Sequence, residues 1–429
     1  MADVRATAEI RLWNETVGAV VELTDGRIVF EYADSFRRLG LEMSPVHLPT
    51  TLRGPVRFDE LLRQPAFNGL PGVLADSLPD AFGNRVIRAY YAARGQSDKA
   101  MSPVQRLLYV GSRAIGALTF HPAEDFPGLQ ADEEALEISR LVADARKILR
   151  GDPTITIPEI YRVGASAGGM RPKAIVLYDP GPGTIRSGMI EPEPDEIPCI
   201  LKFDGTGDGV TADRLGEPLP HNRVEAAYGL MARAAGVDTT EIQVLEHETY
   251  AHLLIRRFDF DNGVRLHQHS FGGLVHVDFN MRGASSYEEY LRVVLLLGMP
   301  YAPLEQAYRR LVFNVLAVNQ DDHVKNLSFL MKPSGEWMLT PAYDVTFAFG
   351  ANWTSEHQMR IRDRTKGIRT EDLLSIAREF DIKKPTRILE QAREAISGWE
   401  RYAARFTVPE STVAAIRTVL DTRATELAD

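Results

Sequence analysis

Asp321, His323, Lys325 and Asn326 fall within the six consecutive positions of DDHVKN, and Asp344 follows later in LTPAYDV. Residues of these types at this spacing can hold a hydroxyl, a phosphate chain and a divalent metal. Phosphoryl transfer needs an oriented nucleophile, cations bridging the phosphates and fixed positive charge around the moving group. Asp321 can accept the proton of a hydroxyl. Asn326, five positions on, offers a neutral oxygen to magnesium, and Asp344 adds the anionic ligand; the same interval and later carboxylate belong to the protein-kinase plan.

The other polar residues of the cluster have competing readings. Asp322 doubles the carboxylate density, but neighbouring side chains on extended backbone point apart, and the catalytic role is assigned to Asp321. His323 reads as a ring that sets the direction of Asp321 by hydrogen bonding. Lys325 can neutralise the transferred phosphate or stand as a solvated loop charge. A metallohydrolase is disfavoured: there is no HExxH sequence, and His267 and His269 have strand spacing with no obvious third ligand. Oxygen-ligated magnesium fits better than zinc.

Upstream, Lys202 is a charge inside the apolar run CILKF, either one polar strand position or a lysine set against nucleotide phosphates. On the kinase reading, Glu225 of the helical NRVEAAYGL pairs with it; otherwise Glu225 is an ordinary solvent-facing helix residue. Gly164, Gly168 and Gly169 in GASAGGMRPK let backbone approach phosphate oxygens closely. The run matches neither GxxxxGK[ST] nor GxGxxG, so its weight comes from Lys202 and the downstream cluster. Arg257 and Asp259 in LIRRFDF read as a structural pair or as the rim of an adenine site.

The elements that must position these groups are legible in outline. Residues 5–31 alternate polar and apolar and break at Asn14-Glu15 and Asp25-Gly26, a short antiparallel meander. Helices are expected at 84–93, with Val86, Ile87 and Tyr90 inward, and at 133–150, stopped by Gly151-Asp152-Pro153. AIVLY and CILKF read as strands, 222–235 as an amphipathic helix, and 242–245 and 251–260 as strands. Beyond about 283 the pattern is helical except for a strand pair around 327–340. The expected class is α+β, a bilobal protein-kinase-like fold with a fused small N-terminal α/β module and a mostly helical C-terminal lobe. Its modules are expected at 1–125, 126–260 (the ATP-facing lobe with the glycine-rich loop) and 261–429.

The 429 residues are 44% hydrophobic and 25% charged, ordinary for a globular chain long enough for two or three cores. A formal net charge of −10 argues against sequence-independent binding of nucleic acid by the whole chain. Cys199 is the single cysteine, so no intrachain disulfide and no thiolate-rich zinc site can form. No secretion segment opens the sequence and no apolar run reaches membrane-spanning length, so a cytoplasmic location is expected.

Taken together, GVLADSLPDAFGN, LLYVGSRAIGALTF, SAGGMRPKA, CILKF, NRVEAAYGLMARAAGV, LIRRFDF, DDHVKNLSF and LTPAYDV resemble the HipA family of serine/threonine kinases, toxin components of bacterial toxin–antitoxin pairs. The resemblance implies Asp321 as catalytic aspartate, Asn326 and Asp344 as magnesium ligands, Lys202 as the ATP-contacting lysine and His323 as the loop histidine. It sets Lys173 at the basic end of the phosphate loop and Ser166 at the autophosphorylated serine whose modification accompanies inactivation. A phosphate there would add about −1.5 to −2 charge and could eject the loop from ATP. It further implies ATP and Mg2+ as cofactors and a small helix-turn-helix, DNA-binding antitoxin as partner, with DNA reached only through that antitoxin. An aminoacyl-tRNA synthetase is the implied class of protein substrate. RLHQHSFGGLVHVDFN suggests a specificity segment with a histidine-rich entrance. A small-molecule or lipid kinase and an inactive kinase-like scaffold are the competing functions.

Overall fold

A computed structural model describes residues 3–92, 95, 101–123, 135–152, 171–206 and 216–427. The chain forms two compact units that share the sequence unevenly. Residues 1–219, 245–269 and 332–335 make the first; residues 220–244, 270–331 and 336–429 make the second. The architecture is α+β, as expected.

In the first unit, β1 (Val4–Leu12), β2 (Glu15–Leu23) and β3 (Ile28–Tyr32) form the meander, with β4 (Leu118–His121) added beside β1 in the order β3-β2-β1-β4. Trp13 and Asn14 both take positive φ between β1 and β2, the conformation that a two-residue hairpin turn needs. Alternate residues Ala8, Ile10 and Leu12 are buried, which fixes the register. Two short helices, α1 (Asp34–Arg37) and α2 (Gly72–Ala75), precede α3 (Ala81–Ala92) and α4 (Pro103–Val110). Ser102 caps α4 with a reciprocal Gln105 contact, and Pro103 sits at its first turn. On α3, Val86, Ile87 and Tyr90 point inward as the spacing predicts.

Helix α5 (Ile138–Arg150) ends at Gly151 in a left-handed cap. It starts later than the sequence pattern suggests, because residues 135–137 are extended or irregular and Glu137 is its N-terminal flank. The second sheet has the order β6-β5-β7-β9-β8, from β5 (Lys173–Asp179), β6 (Thr184–Ser187), β7 (Ile197–Lys202), β8 (Ile242–His247) and β9 (Tyr250–Arg256). Its Ala174, Val176, Cys199, Leu201 and Leu254 share one core with Tyr90 of α3 and Leu141 of α5. Cys199 is thus a small buried hydrophobe.

The first unit closes on β10 (Phe260–Asp261), β11 (Val264–Arg265) and β12 (His267–Ser270). Arg257 and Asp259 make a buried two-pronged ion pair, Nε to Oδ1 at 2.9 Å and an NH2 to Oδ2 at 2.7 Å, the strong geometry for guanidinium and carboxylate. The Gly116 amide also donates to Asp259 at 2.8 Å, tying residues near β4 to those after β9. This is the structural pair of the two readings given for LIRRFDF. The histidine-rich entrance is corrected at His267 and His269, both fully buried. His269 contacts Ser44 Oγ through Nε2 at 3.0 Å and Asp76 Oδ2 through Nδ1 at 2.7 Å. That is the connectivity of an acyl-transfer triad. With Ser44 only 1% exposed, no acyl donor can reach it, so the trio serves as a tie.

The second unit is mostly helical: α6 (His221–Ala234), α7 (Phe271–Val275), α8 (Tyr287–Leu296), α9 (Tyr301–Leu316), α10 (Thr370–Glu379), α11 (Pro385–Ser397), α12 (Trp399–Arg405) and α13 (Glu410–Glu426). β13 (Ser328–Met331) pairs antiparallel with β14 (Trp337–Leu339), setting Phe329 opposite Leu339. Tyr228 of α6 is fully buried, its ring 5.3 Å from that of Trp399 and 6.3 Å from that of Phe313, both in the edge-on arrangement that aromatic pairs favour. Its hydroxyl donates to Ala317 O at 3.0 Å, so α6 holds the exit of α9. Among the described residues, no helix is long and apolar enough to cross a membrane.

Candidate active site

The last turns of α9 are buried all round, Leu311, Val312, Phe313 and Val315 beside the buried polar Arg310 and Asn314, so this helix is part of the core and a rigid base for the loop beyond it. Asn319 N–H returns to Asn314 O at 2.9 Å, closing the helix with Val318 in the left-handed region at φ 53°. A β-branched residue there is strained by about 1–3 kcal/mol and persists because its surroundings fix it. Ala348 N donates to Val318 O at 3.1 Å, and Gln320 N donates to Ala348 O at 3.0 Å. This parallel bridge joins the loop after α9 to the chain just past Asp344. Thr240 N–H and Ala342 O, at 3.1 Å, anchor the other end of that segment.

Asp321 emerges from the bridged loop with 39% of its side chain exposed. Its Oδ1 accepts a hydrogen bond from Trp353 Nε1 at 2.6 Å and lies 3.9 Å from His323 Nε2. Burial pushes its pKa above the usual carboxylate range and the charges of Asp344 and Asp322 add to that, while His323 and the Trp353 donor pull the other way. Burial also lowers the pKa of His323, against the pull of the Asp321 carboxylate. Its Nδ1 accepts the Lys325 amide at 3.3 Å, which places the ring proton on Nε2, the nitrogen facing Asp321. Lys325 Nζ lies over the Phe279 ring at 5.6 Å, and Phe279 also packs on His323. The ammonium thus has a cation–π partner.

Asn326 donates its amide to Asp321 O at 2.9 Å, closing the loop on itself and leaving Oδ1 as acceptor. Asn326 and Asp344 line one pocket with Arg310, Asn319, Asp322 and Tyr343. Asp344 reaches it from a left-handed turn at φ 52°, a conformation that Asp tolerates better than most residues. Tyr343, its neighbour, donates to Lys325 O at 2.8 Å and so ties the two loops. Among the described residues no group of three or more His, Cys, Asp or Glu side chains gathers into a cation cage. An amide oxygen and a carboxylate lining one pocket are a donor set that suits Mg2+, which keeps several waters and takes phosphate oxygens as remaining ligands. The residues therefore fit a nucleotide-borne magnesium.

Asp322 has a part that the sequence does not reveal. Its side chain is 1% exposed and accepts from Tyr287 OH at 2.8 Å, His357 Nδ1 at 2.8 Å and Gln358 N at 2.7 Å. Asn314 extends the network, donating to Tyr287 OH at 2.9 Å and accepting from Asn319 at 3.0 Å. Trp353 is equally illegible, since nothing in its local sequence marks an indole aimed at a distant carboxylate.

The remaining candidates divide between the units. Lys173 and Lys202 oppose each other in register on β5 and β7 of the first unit, both less than a tenth exposed. Lys173 Nζ lies 3.8 Å from Asp80 Oδ2. Glu225 is buried on α6 of the second unit, not solvent-facing. Ser166, Gly168 and Gly169, with Gly164, lie outside the described residues.

Fold and loop constellation together define a chain of the kinase-like α+β class. The chain belongs to the HipA family: residues 8–121 match the HipA N-terminal domain and residues 165–400 the HipA-like C-terminal domain. A Sinorhizobium fredii protein that carries the name "Putative kinase" is 24% identical, the match covering 96% of this chain and 94% of that one. A Haemophilus influenzae protein, also "Putative kinase", is 24% identical over 44% of this chain and 54% of its own length. Among solved structures, the HipA toxin–antitoxin complex of Shewanella oneidensis with HipB and operator DNA shares the fold. Its TM-score is 0.68 at 18% identity, covering 98% of this chain and 97% of that one.

Proposed function

We propose that this chain is an ATP- and Mg2+-dependent serine/threonine protein kinase acting as a HipA-like toxin. The observation that carries the reading is the convergence of Asn326 and Asp344 on one pocket, with Asn326 closing the loop that projects Asp321. Asn326 and Asp344 would hold magnesium, which when bound would supply positive charge to offset the charge developing on the transferred group. Asp321 orients a substrate hydroxyl and takes its proton; the Trp353 indole, donating to its Oδ1 at 2.6 Å, fixes its rotamer, while His323 Nε2 faces it at 3.9 Å, beyond hydrogen-bond reach. Lys325, in the same loop, neutralises the phosphoryl group in flight. Lys173 and Lys202 supply fixed charge to the nucleotide phosphates, and Glu225 is assigned to the nucleotide site with them. Ser166, Gly168 and Gly169 are assigned to the nucleotide site by the family resemblance, with Ser166 as the autophosphorylation site.

The partner is a small helix-turn-helix antitoxin, as HipB is found with HipA in the Shewanella complex. An acidic chain of net charge −10 is suited to steer toward a basic DNA-binding protein. The substrate class is a protein, of which an aminoacyl-tRNA synthetase is the candidate. Incubation with radiolabelled ATP, Mg2+ and cell extract should label serine or threonine in the chain and in one dominant acceptor. Asp321→Asn should abolish both labels while Asp344→Asn loses Mg2+-assisted nucleotide binding by calorimetry. Wild-type labelling by folded Asp321→Asn protein, or label found only in small metabolites, would overturn the assignment.

A further inference from the structure

The reading of Lys173 and Lys202 as phosphate-facing groups leaves Asp80 unexplained, and the inference here rests on that reading. Asp80 comes from the segment matched to the HipA N-terminal domain, whereas Lys173 and Lys202 lie in the stretch matched to the C-terminal one. The two lysines sit directly opposite on adjacent antiparallel strands, and like charges so placed repel. Both are buried, where an ammonium needs a carboxylate nearby. Asp80 is such a carboxylate for Lys173, at 3.8 Å, with both side chains only 4% exposed. Its other oxygen accepts the Gly83 amide at 2.7 Å at the start of α3, so Asp80 itself is fixed. Among the described residues, the oxygen facing Lys173 makes no hydrogen bond. At 3.8 Å the two groups attract without hydrogen bonding to each other, so this contact yields to a competing anion more readily than a charge-assisted hydrogen bond of about 2.8 Å would.

We propose that Asp80 is a resting counter-ion of Lys173 and that the phosphates of bound nucleotide take over this role, so that the N-terminal module senses nucleotide occupancy. Asp80 is a positioning residue: it touches neither nucleotide nor acceptor. The test is thermal unfolding of the full chain and of Asp80→Asn, Lys173→Met and the double variant, each with and without a non-hydrolysable ATP analogue plus Mg2+. Without nucleotide, Asp80→Asn should unfold about 5 °C or more below wild type, and the double variant should recover most of that loss. Saturating nucleotide should erase at least half of the Asp80→Asn deficit, because phosphate replaces the missing carboxylate; a merely structural role leaves the deficit unchanged.

A deficit that nucleotide does not alter, or a double variant no more stable than Asp80→Asn, overturns the proposal. Where Asp80→Asn does not fold, Lys173→Met alone decides: its nucleotide-induced rise should be smaller than that of wild type, and an equal rise overturns the proposal. Absence of any nucleotide-induced rise in wild type sinks the kinase reading as well. An intact wild-type rise with no coupling to Asp80 sinks only this inference.

Discussion

Replacing Asp322 by Asn is the sharpest perturbation of the site, because it keeps the shape of a side chain that three hydrogen bonds hold in place. The carboxylate accepts three hydrogen bonds, two at 2.8 Å and one at 2.7 Å, in a setting 1% exposed. In Asp322→Asn the amide oxygen can still serve the Gln358 amide, but the NH2 then faces Tyr287 OH and the proton on His357 Nδ1. Two hydrogen bonds to a charged acceptor are lost, each worth about 1.5–3 kcal/mol, giving a cost of about 3–6 kcal/mol. For a unit of this size that corresponds to a fall in Tm of about 10 °C. Asp322 is the immediate neighbour of Asp321, so release of its anchors should also let the proton acceptor drift. Misplacement by about 1 Å can cost about 100-fold in rate. The assay is phosphoryl transfer at a temperature where circular dichroism shows the variant folded, with kcat and KM for ATP determined separately. The expected outcome is a roughly 100-fold drop in kcat with KM for ATP changed far less, since Asp322 is a loop anchor. A Tm indistinguishable from wild type together with kcat within twofold would refute the reasoning.

Trp353→Phe removes the indole donor that helps to keep Asp321 ionised, so the pKa of Asp321 should rise further and the acid limb of the kcat/KM profile should move to higher pH. A pH–rate profile superimposable on wild type would show that this hydrogen bond does not tune the acceptor. His252 and His267 are buried neutral rings, each lowered by burial from 6.5 to about 4. The unfolded chain therefore binds protons that the folded one refuses between those values. Stability is whole above pH 6.5 and falls as pH drops toward 4, by up to about 3 kcal/mol for each ring. Urea titrations across this pH range read the loss directly, and His267→Gln should flatten the slope.

What is legible in the chain is whatever depends on neighbours. The Asp-Gly turn, the inward stripe Val86, Ile87 and Tyr90 and the Gly151 stop are local patterns, and each appears where expected. The spacing of Asp321 and Asn326 is local too, and the chain folds the two into one closed loop. The misses are non-local. Asp322 reads as redundant because its partners Tyr287 and His357 lie 35 residues away on either side. Asp80 gives no hint of Lys173, on a strand far later in the chain. His267 and His269 read as an entrance because strand spacing cannot tell a buried face from an open one. The later start of α5 reflects non-helical backbone at 135–137, extended at Glu137, that helix-forming composition does not forbid.

The bridge between residues 318–320 and Ala348 gives an irregular segment a sheet-like degree of restraint. Amides there should exchange with deuterated solvent far more slowly than loop position suggests. Gln320 donates to Ala348 O while Ala348 donates to Val318 O, and Gln358 donates to a carboxylate shut away from water. Opening any of them requires residues 319–322 and 342–358 to part together, so these amides should exchange as one cooperative unit.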